Sequence, residues 1–135
     1  MPYKHRLKVR YVETDQMGLV HHASHLAYLE EARTEYMSSL GMPYGSVEAA
    51  GIGLPVRRVE LRYRAPAFYE DELEVSVTVA GLRAASIRFE YSIRRPADGG
   101  TLLDGMVELA CMDLESREPV ILPQEIRSKL EAEVG

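Results

Sequence analysis

The 135-residue chain has one cysteine, no CxxC pair, no HExxH pattern, no run of about 18 apolar residues and no excess of basic side chains. Cys111 alone cannot close an intrachain disulfide, which agrees with a reducing compartment, and its place in the apolar run GMVELACMDL predicts a buried, inert thiol. Without a long apolar run no transmembrane helix is expected. The opening residues MPYKHRLKVRY carry charge but not the apolar stretch of a signal peptide, so the protein is expected to be soluble and cytoplasmic. Sixteen basic against 21 acidic residues, a net charge of -5, argue against a nucleic-acid partner. No repeat, low-complexity run or linker divides the chain. Hydrophobic residues at 46% are enough for one core, and 1–135 is read as a single domain.

What is present is periodicity. Leu7, Val9 and Tyr11 alternate with Lys8 and Arg10, predicting a first strand over 4–12. Leu26, Leu29, Ala32, Tyr36, Met37 and Leu40 recur every three or four residues, predicting a long helix that Ser24 caps and Gly41 stops. After the Gly- and Pro-containing passage 41–55, alternation returns around Val59–Leu61–Tyr63, Leu73–Val79 and Ile87–Ile93, predicting three half-buried strands, with junctions at Gly81 and at 96–100. A fifth strand is expected over 101–114, and Pro123 opens a short closing helix whose exposed character suggests an outer decoration. One helix and one antiparallel sheet make an α+β domain, with the sheet curved around the helix. Its open edges favour pairing with a second copy into a continuous sheet.

The chemically dense segment is YVETDQMGLVHHASH, which gathers Glu13, Asp15, His21, His22 and His25 around Gly18, just ahead of the helix. A helix start offers unpaired N–H groups at its positive end, where a polarised carbonyl can bind while a carboxylate supplies or activates the attacking oxygen. On composition alone Asp15 reads equally as a turn former or cap. His21 and His25 read as solvated and His22 as a packed, hydrogen-bonded residue; His21 and His25, four apart, also permit a metal site, although no accompanying ligand pattern supports one.

The run VRYVETDQMGLVHHASHLAYLEEARTEYM resembles the opening of the 4-hydroxybenzoyl-CoA thioesterase-like hotdog proteins, especially the short-chain acyl-CoA thioesterase branch associated with the Tol-Pal system. Tyr11, Thr14, Asp15, Gly18, Leu19, Val20, His21, His22, Ala23, Ser24, Glu30, Ala32 and Arg33 fill that family's pattern. Glu30 stands one position before the usual acidic one, and His21 and His25 stand where tyrosine is common. LRYRAPAFYEDELEV and EPVILP extend the likeness along nearly the whole chain.

The resemblance implies a hotdog fold, a curved antiparallel sheet wrapped around one long central helix with a short C-terminal helix, and hydrolysis of acyl-CoA without metal or other cofactor. It implies Asp15 as nucleophile or general base, His22 as its helper, and a carbonyl site at the helix start near Gly18, His22 and Ala23. Coenzyme A brings phosphates, for which Arg58, Arg62, Arg64 and Arg83 are candidates, while Tyr28, Met37 and Tyr63 are candidates for the acyl pocket. A homotetramer built from two dimers, with active sites at subunit boundaries, is expected. Two rival readings remain: a non-catalytic acyl-CoA binding or sensing module, and a hydroxyacyl thioester dehydratase on the same fold.

Overall fold

A computed structural model describes residues 2–134. The elements are β1 (Tyr3–Lys8), α1 (His22–Ser39), α2 (Tyr44–Ala49), β2 (Ile52–Gly53), β3 (Val56–Tyr63), β4 (Glu72–Arg83), β5 (Ser86–Arg95), β6 (Gly100–Ala110), β7 (Met112–Asp113) and α3 (Gln124–Glu131). Five strands form one sheet in the order β1-β4-β5-β6-β3, every neighbouring pair antiparallel, and β2 and β7 form a separate two-stranded ribbon.

Alternation drives the sheet. Leu73, Val75, Val77 and Val79 of β4, Ile87, Phe89, Tyr91 and Ile93 of β5, and Leu103, Val107 and Leu109 of β6 are all buried on the face turned toward α1. Each such aliphatic or aromatic side chain contributes roughly 1.5–3 kcal/mol when fully buried. The opposite face carries charge, and Glu74 is buried there among Lys4, Arg6 and Arg94. Helix α1 packs on β4 and β1. It ends in a Schellman motif: Met42 N–H donates to the Met37 carbonyl at 2.9 Å and Gly41 N–H to that of Ser38 at 3.0 Å, with Gly41 left-handed at φ 79°.

Several expectations are corrected. The first strand stops at Lys8 because the Arg10 N–H donates to the Glu13 carboxylate instead of a neighbouring strand, and Tyr11–Glu13 form a 3-10 turn. Helix α1 starts before Ser24, with His21 at the N-cap position and no side-chain cap. Its inward face includes His25 and Arg33, while Leu26 points outward at 41% exposure. Gly81 lies at a bulge inside β4; the junction is at Ala84 and Ala85, between the paired Arg83 and Ser86. Strand β3 is not half-buried: Val59 is 37% and Tyr63 39% exposed, because α1 packs on β4 and β1, toward the opposite edge of the sheet from β3. The expected fifth strand breaks at Cys111, whose N–H donates to the Ala85 carbonyl at 2.9 Å, and its last residues cross to pair with β2. Cys111 itself is buried, which pushes its thiol pKa up. Helix α3 is part of the core rather than a decoration, since Ile126 and Leu130 are buried against it.

Candidate active site

The site begins with a tight turn. Thr14 and Val20 form an antiparallel bridge, and Asp15 N–H donates to the Leu19 carbonyl at 2.8 Å. Gln16, Met17 and Gly18 fill the loop between them, with Gly18 left-handed at φ 78°, the geometry of a three-residue hairpin loop closed by a glycine bulge. Inside this loop Asp15 Oδ1 accepts hydrogen bonds from the Met17 N–H at 2.8 Å and the Leu19 N–H at 3.2 Å. Its other carboxylate oxygen has no hydrogen-bond partner among the described residues. The loop is tied to the 67–69 segment: Val20 N–H donates to the Ala67 carbonyl at 2.9 Å and Tyr69 N–H to that of Gly18 at 3.2 Å.

The chain then enters α1. His21 N–H donates to the Glu13 carbonyl at 2.9 Å and Ser24 N–H to that of His21 at 3.0 Å, whereas the amides of His22 and Ala23 have no acceptor among the described residues. Asp15, Leu19, Val20, His21 and His22 line one cleft together with Tyr63, Arg64, Ala65 and Pro66, about 470 Å³ in volume. Tyr63 fixes His22 twice, by stacking on its imidazole with ring centres 4.4 Å apart and by donating its hydroxyl to the His22 carbonyl at 2.8 Å. Burial raises the Tyr63 pKa, so the phenol remains a donor at neutral pH.

The histidines exchange the roles expected of them. His22 is exposed at the cleft, and His25 is 2% exposed. The His25 Nδ1 lies 3.2 Å from the His21 carbonyl, which requires its proton there, and leaves Nε2 buried with no partner among the described residues. Burial holds the His25 pKa below the ordinary imidazole value. Glu13 also braces the loop, accepting the Tyr28 hydroxyl at 2.8 Å and the Arg10 N–H at 2.8 Å. Burial raises the Glu13 pKa, but the hydrogen bonds from Arg10 and Tyr28 outweigh it and leave the carboxyl below its ordinary value.

Of the other sequence candidates, only some reach the cleft. Tyr63 and Arg64 line it, and Arg64 is also ion-paired with Asp104. Arg62 lies in a neighbouring groove on the outer sheet face, shared with Arg64, Arg88 and Asp104, and Arg58 pairs with Glu60 at 2.9 Å. Arg83 is not brought to the cleft: it ends β4, whose other end follows the 67–71 segment beside the Asp15 loop, so about 36 Å of strand intervenes. Tyr28 and Met37 do not line the cleft in this chain either; both are buried, and the Tyr28 hydroxyl is committed to Glu13. Ala65 and Pro66 went unread as wall residues, since their only sequence signal was the break after β3. Among the described residues no group of three or more His, Cys, Asp or Glu side chains is placed to hold a metal ion, and no helix is long and apolar enough to cross a membrane.

This geometry has relatives. Residues 9–130 match the model of the thioesterase-like superfamily. The acyl-CoA thioester hydrolase YbgC of Escherichia coli O157:H7 is 32% identical over 120 residues, 89% of each chain. A hypothetical protein from Thermus thermophilus superposes with a TM-score of 0.90 at 36% identity, covering 96% of this chain and 98% of that one. The DHNA-CoA thioesterase of Staphylococcus aureus does so with a TM-score of 0.89 at 28% identity, covering 97% and 91%. The curved sheet around α1 is therefore the hotdog fold. With a match that runs from the end of β1 into α3, the chain belongs to the thioesterase-like superfamily.

Proposed function

We propose that the chain, 1–135 acting as one hotdog domain, hydrolyses acyl-CoA thioesters to a carboxylic acid and coenzyme A. The observation that carries this reading is Asp15, one carboxylate oxygen pinned by its own loop and the other unpartnered among the described residues, in a cleft that the first residues of α1 also line. The kinship to YbgC supports it.

The thioester carbon is attacked either by the Asp15 carboxylate, giving an anhydride that water then opens, or by a water whose proton Asp15 takes. In both routes charge develops on the carbonyl oxygen, where the His22 and Ala23 amides can receive it; one such donor is commonly worth about 3–4 kcal/mol in the transition state. The C–S bond then breaks and the departing thiolate takes up a proton. His22, held on Tyr63, orients the carboxylate, the water or the leaving thiolate. Arg64 at the cleft, with Arg62 beside it, faces the coenzyme A phosphates.

A second copy completes the site. Strand β3 is a sheet edge whose inward-facing Val59 and Tyr63 are partly exposed, so two copies pairing antiparallel along β3 continue the sheet and cover those side chains. Pairing that keeps the inward faces together, with Leu61 opposite Val59, sets Arg58 of the second copy opposite Arg62. Two such dimers form the tetramer, and a single buried thiol suits a cytoplasmic setting.

A thiol-release assay across short-chain, long-chain and aromatic acyl-CoAs tests the activity. Asp15→Asn and Asp15→Ala are expected to lower turnover at least about 100-fold with the fold intact; full activity in either variant removes Asp15 from the mechanism. Tight acyl-CoA binding without thiol release from any substrate would identify a binding module instead. Oxygen-18 from solvent in the Asp15 carboxylate after a single turnover marks direct attack.

A further inference from the structure

His25 is a buried polar residue to which the reaction at Asp15 assigns no task. It is 2% exposed, its ring stands edge-on to those of Tyr28 and Tyr63, with ring centres 5.9 and 5.2 Å away, and its Nε2 has no partner among the described residues. Burying an imidazole in this way costs free energy, which its one hydrogen bond has to offset. That bond runs from Nδ1 to the His21 carbonyl at 3.2 Å, and the same carbonyl accepts the Ser24 N–H at 3.0 Å.

Which carbonyl this is matters, because a peptide unit is planar and conjugated. The His21 carbonyl and the His22 N–H belong to one unit, and the His22 N–H is one of the two amides at the helix start that have no acceptor among the described residues. A donor on the carbonyl oxygen acts on the N–H across the plane in two ways. It fixes the tilt of the plane, so the N–H keeps its direction, and it draws electrons toward oxygen, so the N–H becomes a stronger donor. The Ala23 amide has the same arrangement: its peptide carbonyl is that of His22, which accepts the Tyr63 hydroxyl at 2.8 Å. Each free N–H is thus backed by a side-chain donor on its own peptide, and the two backing rings pack edge to face.

We propose that His25 is a positioning residue for thioester hydrolysis: as a neutral imidazole protonated at Nδ1 it caps the His21 carbonyl, as Tyr63 caps that of His22, and so aims and polarises the two N–H groups that receive the thioester oxyanion. This rests on the acyl-CoA reading above. A second proton, on Nε2, would add a buried donor with no acceptor among the described residues, and burial holds the ring neutral at neutral pH. Strengthening by about 10–30% of a donor commonly worth about 100- to 1,000-fold in kcat amounts to roughly two- to eightfold. The charge it answers develops in the transition state, so the effect falls on kcat and leaves KM nearly unchanged.

Two variants of the full-length protein separate this role from packing. His25→Phe keeps a ring in place, takes nothing from the unpartnered Nε2 edge and removes the donor. His25→Asn returns a donor close to where Nδ1 stands but leaves a gap beside Tyr28 and Tyr63. His25→Phe is expected to melt near the wild type with kcat lowered roughly two- to eightfold at similar KM, and His25→Asn to melt lower yet turn over faster than His25→Phe. Unchanged kcat in His25→Phe, or kcat that follows Tm across both variants, makes His25 a packing residue and overturns the proposal. The proton itself is read in the wild-type protein by solid-state NMR at neutral pH. The chain has 4 histidines, so nitrogen-15-labelled histidine gives few signals, and the one lost in His25→Phe belongs to His25. Nδ1 protonated and Nε2 bare is the expected state; an Nε2–H tautomer or an imidazolium overturns the proposal whether or not the chain hydrolyses thioesters. The Nδ1–H tautomer in a wild-type protein that releases thiol from no acyl-CoA overturns the acyl-CoA reading instead, and the role in hydrolysis with it.

Discussion

Gly18→Ala isolates what the loop around Asp15 contributes. Gly18 sits at φ 78°, and a Cβ built there meets nothing within 4 Å, so the substitution introduces no clash with a neighbour and its cost is conformational. A non-glycine residue in the left-handed region costs about 1–2 kcal/mol. For a chain of 135 residues that corresponds to a fall in Tm of roughly 3–8 °C. If the loop relaxes to avoid the strain, the Leu19 N–H moves off Asp15 Oδ1, a bond already long at 3.2 Å, and the carboxylate loses its aim. Thioesterase kcat should then fall about tenfold or more, in line with the sensitivity of reacting geometry to displacements near 1 Å. Gly18→Asn is the control, because asparagine tolerates left-handed backbone and should recover most of both losses. Thermal melts and steady-state kinetics on the three proteins read the outcome. An alanine variant with unchanged Tm and kcat, or an asparagine variant as impaired as the alanine one, would refute the argument that backbone conformation at Gly18 aims Asp15.

Substitutions at three further positions probe separate parts of the molecule. Tyr63→Phe removes the hydrogen bond to the His22 carbonyl but keeps the stacking, and is expected to cost about 0.5–1.5 kcal/mol with a modest loss of kcat, whereas Tyr63→Ala, which removes both, should lower kcat further at similar KM. Glu74 is held below the ordinary carboxyl pKa, first by the Arg94 hydrogen bond and then, against the opposing effect of burial, by the charges of Arg94, Lys4 and Arg6. Its folded pKa lies below the unfolded one, so its contribution is complete above the ordinary carboxyl pKa and disappears as pH falls through the depressed value. Glu74→Gln should therefore cost about 1–3 kcal/mol at neutral pH in chemical denaturation and progressively less in acid; an equal cost at both ends would deny the electrostatic origin. Leu130→Ala in α3 should cost about 2–5 kcal/mol because Leu130 is fully buried, and a neutral result would return α3 to the status of a surface decoration.

The sheet was legible wherever a strand faces the core on one side only. Val75–Val77–Val79 and Ile87–Phe89–Tyr91–Ile93 alternate in sequence and are buried in register, so period two marked β4 and β5 directly. The elements that escaped depend on distant partners. The Ala84–Ala85 junction contains no glycine and neither residue is left-handed; its carbonyls are satisfied by Leu122 N–H, Cys111 N–H and the Arg127 guanidinium. With no local turn signal, Gly81 drew the junction, although its role is at a bulge in β4. Helix α2 and the β2–β7 ribbon are too short to show a period: residues 41–55 read as an irregular Gly- and Pro-containing passage, and Met112 and Leu114 fell within the expected fifth strand. The Asp15 loop was legible as a place because a glycine and a carboxylate precede a helix start. The contact that holds His22 was not, since Tyr63 lies 41 residues further on and arrives by way of β3.

Helix α1 shows why a polar inward face can escape an apolar-stripe reading and still be structural. Leu26 and Leu29 fit the same spacing, yet Leu26 turns outward and His25 turns in, because the buried arc follows the curved sheet rather than one line of leucines. A charged side chain on that arc needs partners, and Arg33, 4% exposed, finds hydroxyls instead of a carboxylate: its guanidinium donates to Tyr44 at 2.9 Å and Tyr91 at 3.1 Å. Burial pushes the Tyr91 phenol up to about 12, so it stays neutral beside the cation. The same Tyr44 forms one wall of an apolar groove lined by Val47, Ile52, Leu54, Met112 and Leu114, and α2, which carries it, is thereby anchored to the centre of α1. At the other end of the helix His25 bonds the His21 carbonyl and sets its ring edge-on to Tyr63, which in turn stacks on His22. The two polar groups that an amphipathic pattern would place in solvent thus tie α1 to the two concavities, the start of the helix through His25 to the Asp15 cleft and its centre through Arg33 to the groove. A helix fixed at its start and its centre in this way keeps cleft and groove at a constant spacing.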